Sequence, residues 1–132
     1  MNARNELKQQ TVSHRLAQFT THLKLEDVPQ AVRERAKHLM LDSIGLAYAT
    51  LNLPYTTSTL GAMQELGTGE ATVFGHRQTL ALRDAMLLNG LLIHALDFDD
   101  THARGVIHST ASALPAAFNL AERARTRAAR TF

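Results

Sequence analysis

The sequence predicts an all-α protein that folds as a helical bundle. Apolar residues recur at three- and four-residue spacing in several segments, which is the period of a helix with one buried face. Alanine and leucine dominate the apolar 45% of the 132 residues, and aromatic residues make up only 5%. This balance favours helices over sheets, and the length suffices for one modest core.

The first helix is predicted near the N-terminus. Ser13 is its candidate N-cap, and a stripe of apolar residues follows at helical spacing: Val12, Leu16, Phe19 and Leu23. A connection then contains Asp27, the expected N-cap of the next helix, and Pro29, which suits a first helical turn. The second helix is therefore predicted from about Val28 to Leu51.

The second helix has an amphipathic pattern. We expect its buried face to contain Val32, Ala36, Leu39, Met40, Ile44 and Ala47. Gly45 lowers helix propensity, and we interpret it as a point of close helix–helix packing. Asp42 is either a buried, hydrogen-bonded acid or an exposed acid at the edge of the apolar stripe. Pro54 is expected to end this helix.

The middle of the chain contains a short helix and the best strand candidate. The helix is predicted over Thr57–Leu66 and ends at Gly67. Ala71–Phe74 has strand character and stops at Gly75. Because a single strand cannot form a sheet, this segment needs a partner elsewhere or is simply extended.

Two further helices complete the predicted bundle. One runs from about Leu80 to Leu96 and is apolar on nearly all sides, which is typical of a central, buried helix. The last begins near Ser109 or Thr110, has Pro115 in its early part, and carries its apolar residues at Ala113, Leu114, Ala117, Leu120 and Ala121.

The segment between these two helices is the most informative for function. It contains Asp97, Asp99, Asp100, His102 and His108 beside apolar sequence. Carboxylates and imidazoles in such surroundings suit acid–base chemistry at neutral pH. They are also metal ligands, but their spacing lacks the glycine and the distal glutamate of a calcium-binding EF-hand. Asp97–Asp100 also matches the short D-x-D-D pattern of some terpene cyclases.

A purely structural interpretation of the same residues is also possible. Asp99 or Asp100 can cap a turn, His94 can be a hydrogen-bonded core histidine, and His102 can lie in solvent. Each residue alone is most simply explained in this way. Their combination beside the most apolar helix favours a site, and Gly90 and Gly105 permit close approach of backbone or ligand.

Composition excludes several other classes of protein. The absence of cysteine rules out disulfides and thiolate chemistry and is compatible with a reducing cytoplasm, where we expect the protein. The net charge is only +2, and the basic excess lies in the tail, at Arg123, Arg125, Arg127 and Arg130. Without a basic face or an aromatic motif, we expect no nucleic-acid partner. The longest apolar run is too short to span a membrane.

The residues around the acidic segment resemble the signature of the MmgE/PrpD family. The resemblance rests on Asn89–Gly90, His94, the run Ala95–His102 and the downstream His108. Further similarity lies in residues 25–29, 36–37, 41–45, 71–75, 115–117 and 120–122. It predicts a partial helical domain over residues 1–122 and a basic tail, residues 123–132, that does not resemble the family.

The resemblance implies an enzyme of the kinds that this family contains: 2-methylcitrate dehydratase, cis-aconitate decarboxylase and iminodisuccinate epimerase. Such enzymes build the active site from a helical domain and a separate α+β lid, usually in a homodimer. Their substrates are small di- or tricarboxylates. The resemblance also implies that the chemistry needs no metal and no cofactor.

The resemblance implies roles for individual residues by their position in the motif. His108 would transfer a proton, because an imidazole with a pKa near 6.5 accepts or donates one at working pH. Asp97 would orient an imidazole or share the proton transfer. Thr101 would hydrogen-bond a substrate carboxylate, and His102 and Asp100 are further candidates for substrate binding.

The chain departs from the family pattern in two respects. The family usually has a proline directly after the motif histidine, where this chain has Ser109. Family members are also several times longer, so the lid and its substrate-binding lysines are missing, and we expect a truncation or frameshift product that is inactive alone. The alternative is a non-catalytic helical interaction module that retains the site residues as relics.

Overall fold

A computed structural model describes residues 11–129, with side chains described through residue 125. In this part of the chain the fold is mostly helical, which confirms the predicted class. The helices are α1 (Val12–His22), α2 (Gln30–Ala49), α3 (Pro54–Leu66), α4 (Leu82–His94) and α5 (Ser109–Ala129), and the strands are β1 (Ala71–Thr72) and β2 (Thr79–Leu80). The chain divides into two compact units, with the division between Arg35 and Ala36. None of the helices within residues 11–129 has the length and apolar character needed to cross a bilayer.

The predicted caps of the first two helices are wrong. Thr11, not Ser13, caps α1, because its hydroxyl accepts a hydrogen bond from the His14 backbone N–H at 3.2 Å. Asp27 accepts from the Lys24 N–H at 3.3 Å and so closes a 3-10 turn over Leu25–Asp27. Asp side chains often accept a hydrogen bond from a nearby free backbone N–H. For Asp27 that donor is the N–H of Lys24, which precedes the turn.

The predicted buried face of α2 is also largely wrong. Only Ser43 and Ala47 are buried in this helix, whereas Val32, Met40 and Ile44 are exposed. Asp42 is exposed as well, and a side chain at Gly45 would meet no atom of the described residues within 4 Å, so none of them packs closely there. An apolar stripe becomes buried only where another element packs against it, and periodicity alone does not supply that element.

The predicted strand has its partner in the next segment along the chain. β1 pairs with β2 as an antiparallel hairpin in which Ala71 faces Leu80 and Thr72 faces Thr79. Leu80 is fully buried, and α4 begins only at Leu82. The sequence pattern placed Leu80 in the helix because a two-residue strand has too few positions to show its own period.

Helix α4 is the centre of the core, as predicted. It packs against α5, α3 and the hairpin, and its Ala85, Leu88, Leu92 and Ile93 are fully buried. Elsewhere the core comprises Ala47, Leu60, Met63, Val73, Phe74, Leu80, Ala111 and Leu114. Of the five apolar positions predicted on α5, only Leu114 is buried, since the packed face runs through Ala111, Leu114, Pro115 and Asn119.

Helices α4 and α5 approach closely at Gly90. A Cβ at this position would lie 2.9 Å from the Ala111 carbonyl oxygen, so only glycine fits without a shift. Pro115 lies one turn after Ala111 in α5 and has no N–H to donate to that carbonyl. The close approach expected at Gly90 is therefore present, and its partner is backbone.

A buried amide network joins the hairpin to both helices. The Asn89 amide donates to the Thr72 carbonyl at 3.0 Å and to Asn119 Oδ1 at 3.1 Å, and its oxygen accepts from the Phe74 N–H at 2.8 Å. Asn119 in turn donates to the Thr72 carbonyl at 2.9 Å. We refer to Thr72, Phe74, Asn89, Asn119 and Glu122 as the amide network.

Glu122 forms the outer end of the amide network. Its carboxylate accepts hydrogen bonds from the hydroxyl and backbone N–H of Thr72 and from the Asn119 amide. Burial alone would raise the pKa of this carboxyl. The hydrogen bonds from Thr72 and Asn119, together with the charge of Arg125, outweigh burial and lower the pKa below its ordinary value.

Candidate active site

The predicted site lies where α4 ends and α5 begins. His94 is the last residue of α4, and His108 directly precedes α5. The Tyr55 hydroxyl donates to the Ala95 carbonyl at 2.5 Å and so anchors the chain as it leaves α4. Both histidines are thus held at the ends of two helices that pack against each other.

Asp99 is the centre of the site. Its Oδ1 lies 2.9 Å from His94 Nδ1, within hydrogen-bond geometry, and 3.2 Å from His108 Nδ1. The Asp99 side chain is fully buried, whereas the side chains of His94 and His108 are 49% and 28% exposed. One buried carboxylate therefore contacts two imidazoles that solvent or a ligand can still reach.

Asp97 lies on the outer side of the same cluster. Its Oδ1 is 3.5 Å from His108 Nε2, and its side chain is 77% exposed. The backbone of Asp97 has a φ of 57°, in the left-handed region that Asp tolerates better than most residues. Non-glycine residues in this region are concentrated at functional sites. We refer to His94, Asp97, Asp99 and His108 as the Asp/His cluster.

Several polar atoms of this segment have unused bonding capacity. Among the described residues, no hydrogen-bond partner reaches Asp99 Oδ2, Asp100 Oδ1 or His108 Nδ1, although all three atoms are buried. His108 Nδ1 is close to Asp99 Oδ1, but the contact lies outside hydrogen-bond geometry. Buried polar atoms in folded proteins normally have a hydrogen-bond partner. A water molecule or a bound ligand could supply the missing partners here.

The structure brings together two of the five predicted site residues, Asp97 and His108. Thr101 and His102 are exposed, and Asp100 is half-buried. His102 has a local structural contact, because its Nδ1 accepts from the Gly105 N–H at 3.0 Å inside the loop that its bridge with Ile107 closes. The substrate-binding roles of these three residues remain predictions.

The residue roles that the resemblance implied left out His94 and Asp99. Both belong to the motif, but His94 looked like a core histidine and Asp99 like a turn cap. The one available signal was that His94 lies in the last turn of the predicted central helix, shortly before the acids. The loop has no repeating pattern of apolar residues that would distinguish the buried Asp99 from its more exposed neighbours.

The cluster is chemically suited to two tasks. Its imidazoles can donate or accept protons, and carboxylates lie beside them that can hold the rings in position. Its four side chains also offer one ligand atom each, and these atoms all lie within 4.8 Å of one another. That arrangement is also compatible with binding a cation.

Comparison with known proteins identifies the source of this motif. The model of the MmgE/PrpD N-terminal domain matches residues 14–132. A cis-aconitate decarboxylase-like protein, oryM, of Aspergillus oryzae is 34% identical over 112 residues, which cover 84% of this chain and 23% of that protein. A cis-aconitate decarboxylase of Aspergillus terreus is 32% identical over the same shares of the two chains.

The chain thus spans about a quarter of the length of these curated relatives. The family match includes the Asp/His cluster, the amide network and the whole of α5. The predicted boundary at residue 122 stays a prediction. Because the family model covers far more than half of the sequence, the chain belongs to the MmgE/PrpD family.

Proposed function

We propose that the chain supplies the proton-transfer part of a metal-independent lyase that acts on a small di- or tricarboxylate, with cis-aconitate as the first candidate. The observation that carries this proposal is the position of His108, whose two ring nitrogens lie 3.2 Å from Asp99 and 3.5 Å from Asp97. The names of the relatives support the choice of substrate.

Decarboxylation of cis-aconitate defines what the site must do. The bond between a carbon atom and one carboxylate breaks, CO₂ leaves, and the bonding electron pair stays on the remaining carbon skeleton. A proton must then be delivered to a carbon atom of that skeleton, where it forms a new C–H bond with this electron pair. We assign this proton to His108, since an imidazolium is a suitable acid at neutral pH.

The other cluster residues support His108 in this role. Asp99 accepts from His94 and lies against the inner edge of the His108 ring, so it limits the orientation of both imidazoles. The rings pack edge to face, with centroids 4.8 Å apart. Asp97, on the solvent side, orients the His108 imidazole or shares the transfer. Dehydration of 2-methylcitrate or epimerisation would use the same pair to remove a proton next to a carboxylate.

Substrate binding requires more than the cluster provides. Two carboxylates already lie in the site, so an anionic substrate needs cationic partners from elsewhere in the protein. Within this chain we propose Thr101, Asp100 and His102 as substrate contacts. We also propose a cytoplasmic homodimer, which the exposed apolar side chains of Leu41 and Tyr48 favour because an assembly would cover them.

A chimera tests the proposal directly. This chain would replace the matching segment of the Aspergillus terreus decarboxylase, and release of CO₂ from cis-aconitate would be measured. We expect activity from the chimera, and we expect His108→Gln to lower kcat by about a hundredfold to ten-thousandfold, the usual contribution of a general acid. Supplying 2-methylcitrate to the same chimera tests dehydration.

The matched control is His38→Gln, which changes an exposed histidine of α2. It should retain the activity of the chimera. A folded chimera without any turnover would contradict the proposal and favour the alternative, a helical interaction module with relic site residues. A His108→Gln chimera as active as its parent would remove His108 from the mechanism.

A further inference from the structure

We propose that His94 is a second proton-transfer residue of the Asp/His cluster and that it acts as a base through its Nε2 atom. This inference rests on the proposed function, which gives proton delivery to His108 and leaves His94 only as a neighbour of Asp99. It adds an activity, the exchange with solvent of hydrogen atoms on a substrate carbon next to a carboxylate.

The hydrogen bond to Asp99 determines which nitrogen of the His94 ring carries a proton. Asp99 Oδ1 lies 2.9 Å from His94 Nδ1, within hydrogen-bond geometry. Because a carboxylate oxygen accepts, Nδ1 is the nitrogen that donates. A neutral imidazole has a single N–H, so Nε2 of His94 keeps a free lone pair. A carboxylate prepares the histidine base of serine hydrolases in the same way.

His94 is also the more accessible of the two imidazoles. The Asp99 side chain is fully buried, so the hydrogen-bonded edge of the His94 ring faces the protein interior. The His94 side chain is nevertheless 49% exposed, compared with 28% for His108. Its exposed surface therefore lies on the side of the ring away from Nδ1, where Nε2 can meet a ligand.

His108 is held differently. Its Nδ1 lies 3.2 Å from Asp99 Oδ1 without a hydrogen bond, and its Nε2 makes only a 3.5 Å contact with Asp97. Among the described residues, no hydrogen bond therefore fixes which of its nitrogens is protonated. The centroids of the His94 and His108 rings are 4.8 Å apart, so a substrate that contacts one ring is within reach of the other. One imidazole can then remove a proton while the other delivers one.

The exchange step needs only the substrate, His94 and water. cis-Aconitate has a CH₂ group next to a carboxylate. One C–H bond of this group breaks, its electron pair stays on the carbon skeleton as an enolate, and the proton moves to His94 Nε2. In D₂O a deuteron replaces this proton and returns to the same carbon. The cationic groups that bind the substrate carboxylates also stabilise the charge of the enolate.

The first test measures the tautomer of His94 in the full chain without substrate. Long-range proton–nitrogen NMR spectra at about pH 8, where an ordinary imidazole is neutral, distinguish a protonated ring nitrogen from a bare one. The His94 signals are identified by their loss in His94→Asn. We expect the proton on Nδ1, and a proton on Nε2 would overturn the proposal.

The second test measures deuterium uptake into unreacted cis-aconitate by the chimera in D₂O, together with CO₂ release. His94→Asn keeps an amide N–H near the position of Nδ1 but has no Nε2. We expect it to lower deuterium uptake by about a hundredfold or more, the usual contribution of a general base, and CO₂ release by a smaller factor. His108→Gln should show the reverse order. His38→Gln, on the exposed side of α2, should match the parent chimera in both reactions.

The two readouts let this inference and the proposed function fail separately. CO₂ release without deuterium uptake would overturn the role of His94 and leave the proposed function intact. Deuterium uptake that depends on His94, without CO₂ release, would support His94 and contradict the proposed decarboxylation. A folded chimera with neither reaction would contradict both.

The variants separate a base from a residue that only holds Asp99 in place. The proposal is overturned if a folded His94→Asn chimera loses both reactions by the same factor, or if it loses neither. Circular dichroism shows whether the variant is folded. If it is not, His108→Gln decides the test, since a loss of deuterium uptake as large as its loss of CO₂ release would assign both steps to His108.

Discussion

Helix α4 carries two polar clusters that differ in how completely they are hydrogen-bonded. The amide network surrounds Asn89, where both the amide group and the carbonyl oxygen have partners in the hairpin or in α5. The Asp/His cluster begins at His94, and there Asp99 Oδ2 and His108 Nδ1 are buried without a hydrogen-bond partner among the described residues. Asn89 and Asp99 are thus both buried, but only Asn89 has a hydrogen-bond partner for each of its polar side-chain atoms.

The difference shows which cluster stabilises the fold and which is available for chemistry. Paired amides in a low-dielectric core are strong and directional, so they specify how the hairpin, α4 and α5 meet. Unpaired carboxylate and imidazole atoms contribute nothing comparable to folding. Proteins retain such atoms where function requires them. The two clusters should therefore respond differently to substitution.

The largest effect on stability is expected from Asn89→Ala. The change leaves the Phe74 N–H, the Thr72 carbonyl and Asn119 without one partner each, and it opens a cavity. We expect the free energy of unfolding to fall by about 3 kcal/mol or more, measured by urea denaturation. Leu87→Ala, on the exposed side of the same helix, should cost less than about 1 kcal/mol. Equal losses for the two variants would contradict the role given to the network.

The next largest effect is expected at the contact between α4 and α5. Gly90→Ala places a Cβ 2.9 Å from the Ala111 carbonyl oxygen, and the helices must separate, at a cost of about 1–3 kcal/mol. Gly61→Ala is the matched control, because nothing lies within 4 Å of a side chain there. It should stabilise α3 by about 0.5–1 kcal/mol. Thermal unfolding of both variants should show shifts of opposite sign.

A smaller, pH-dependent effect is expected from Glu122→Gln. At pH 7 the lost charge-assisted hydrogen bonds should cost about 1 kcal/mol. Because the pKa of Glu122 is lowered in the folded protein, its contribution is complete above the ordinary value of 4.5 and is lost as the pH falls through the lowered value. The stability difference between the original chain and the variant should therefore shrink below about pH 4.5.

Chemical denaturation between pH 3 and pH 7 measures this prediction. Glu65→Gln, an exposed acid on α3, should change stability at pH 7 by less than about 0.5 kcal/mol. A difference for Glu122→Gln that grows as the solution becomes more acidic would show that its carboxylate does not stabilise the folded state.

The smallest effect on stability is expected from Asp99→Asn, although Asp99 is as buried as Asn89. The amide retains the shape of the carboxylate, its oxygen can still accept the hydrogen bond from His94, and the replaced Oδ2 has no partner among the described residues to lose. We expect the free energy of unfolding to change by less than about 1 kcal/mol. A loss as large as that of Asn89→Ala would place Asp99 in the folding core and remove the contrast between the clusters.

Helical periodicity predicted much of the fold. The long helices were found because each has enough turns for its apolar stripe to be visible, and α4 was predicted as central because its apolar residues extend around most of its surface. Strand β2 was missed because Thr79 and Leu80 are too few to show an alternation. The exposed stripe of α2 was predicted as buried because the pattern identifies an apolar face without its partner.

The site was predicted in part. The motif drew attention to Asp97 and His108, which the structure places 3.5 Å apart. Asp99 was not recognised as the centre because its position depends on how the chain turns after α4, and the left-handed backbone at Asp97 directs that turn. The unpaired state of Asp99 Oδ2 is a three-dimensional property of packing, and residue spacing does not contain it.

All four side chains of the Asp/His cluster come from one continuous segment, residues 94–108. Loops of about ten residues close in roughly 10–100 ns, whereas ribosomes add only about 5–20 residues each second. Because the segment closes far faster than residues are added, the imidazoles and carboxylates can meet as soon as α4 and α5, which hold the two histidines, have packed together. Assembly of the cluster thus depends on this one segment and on the two helices that flank it.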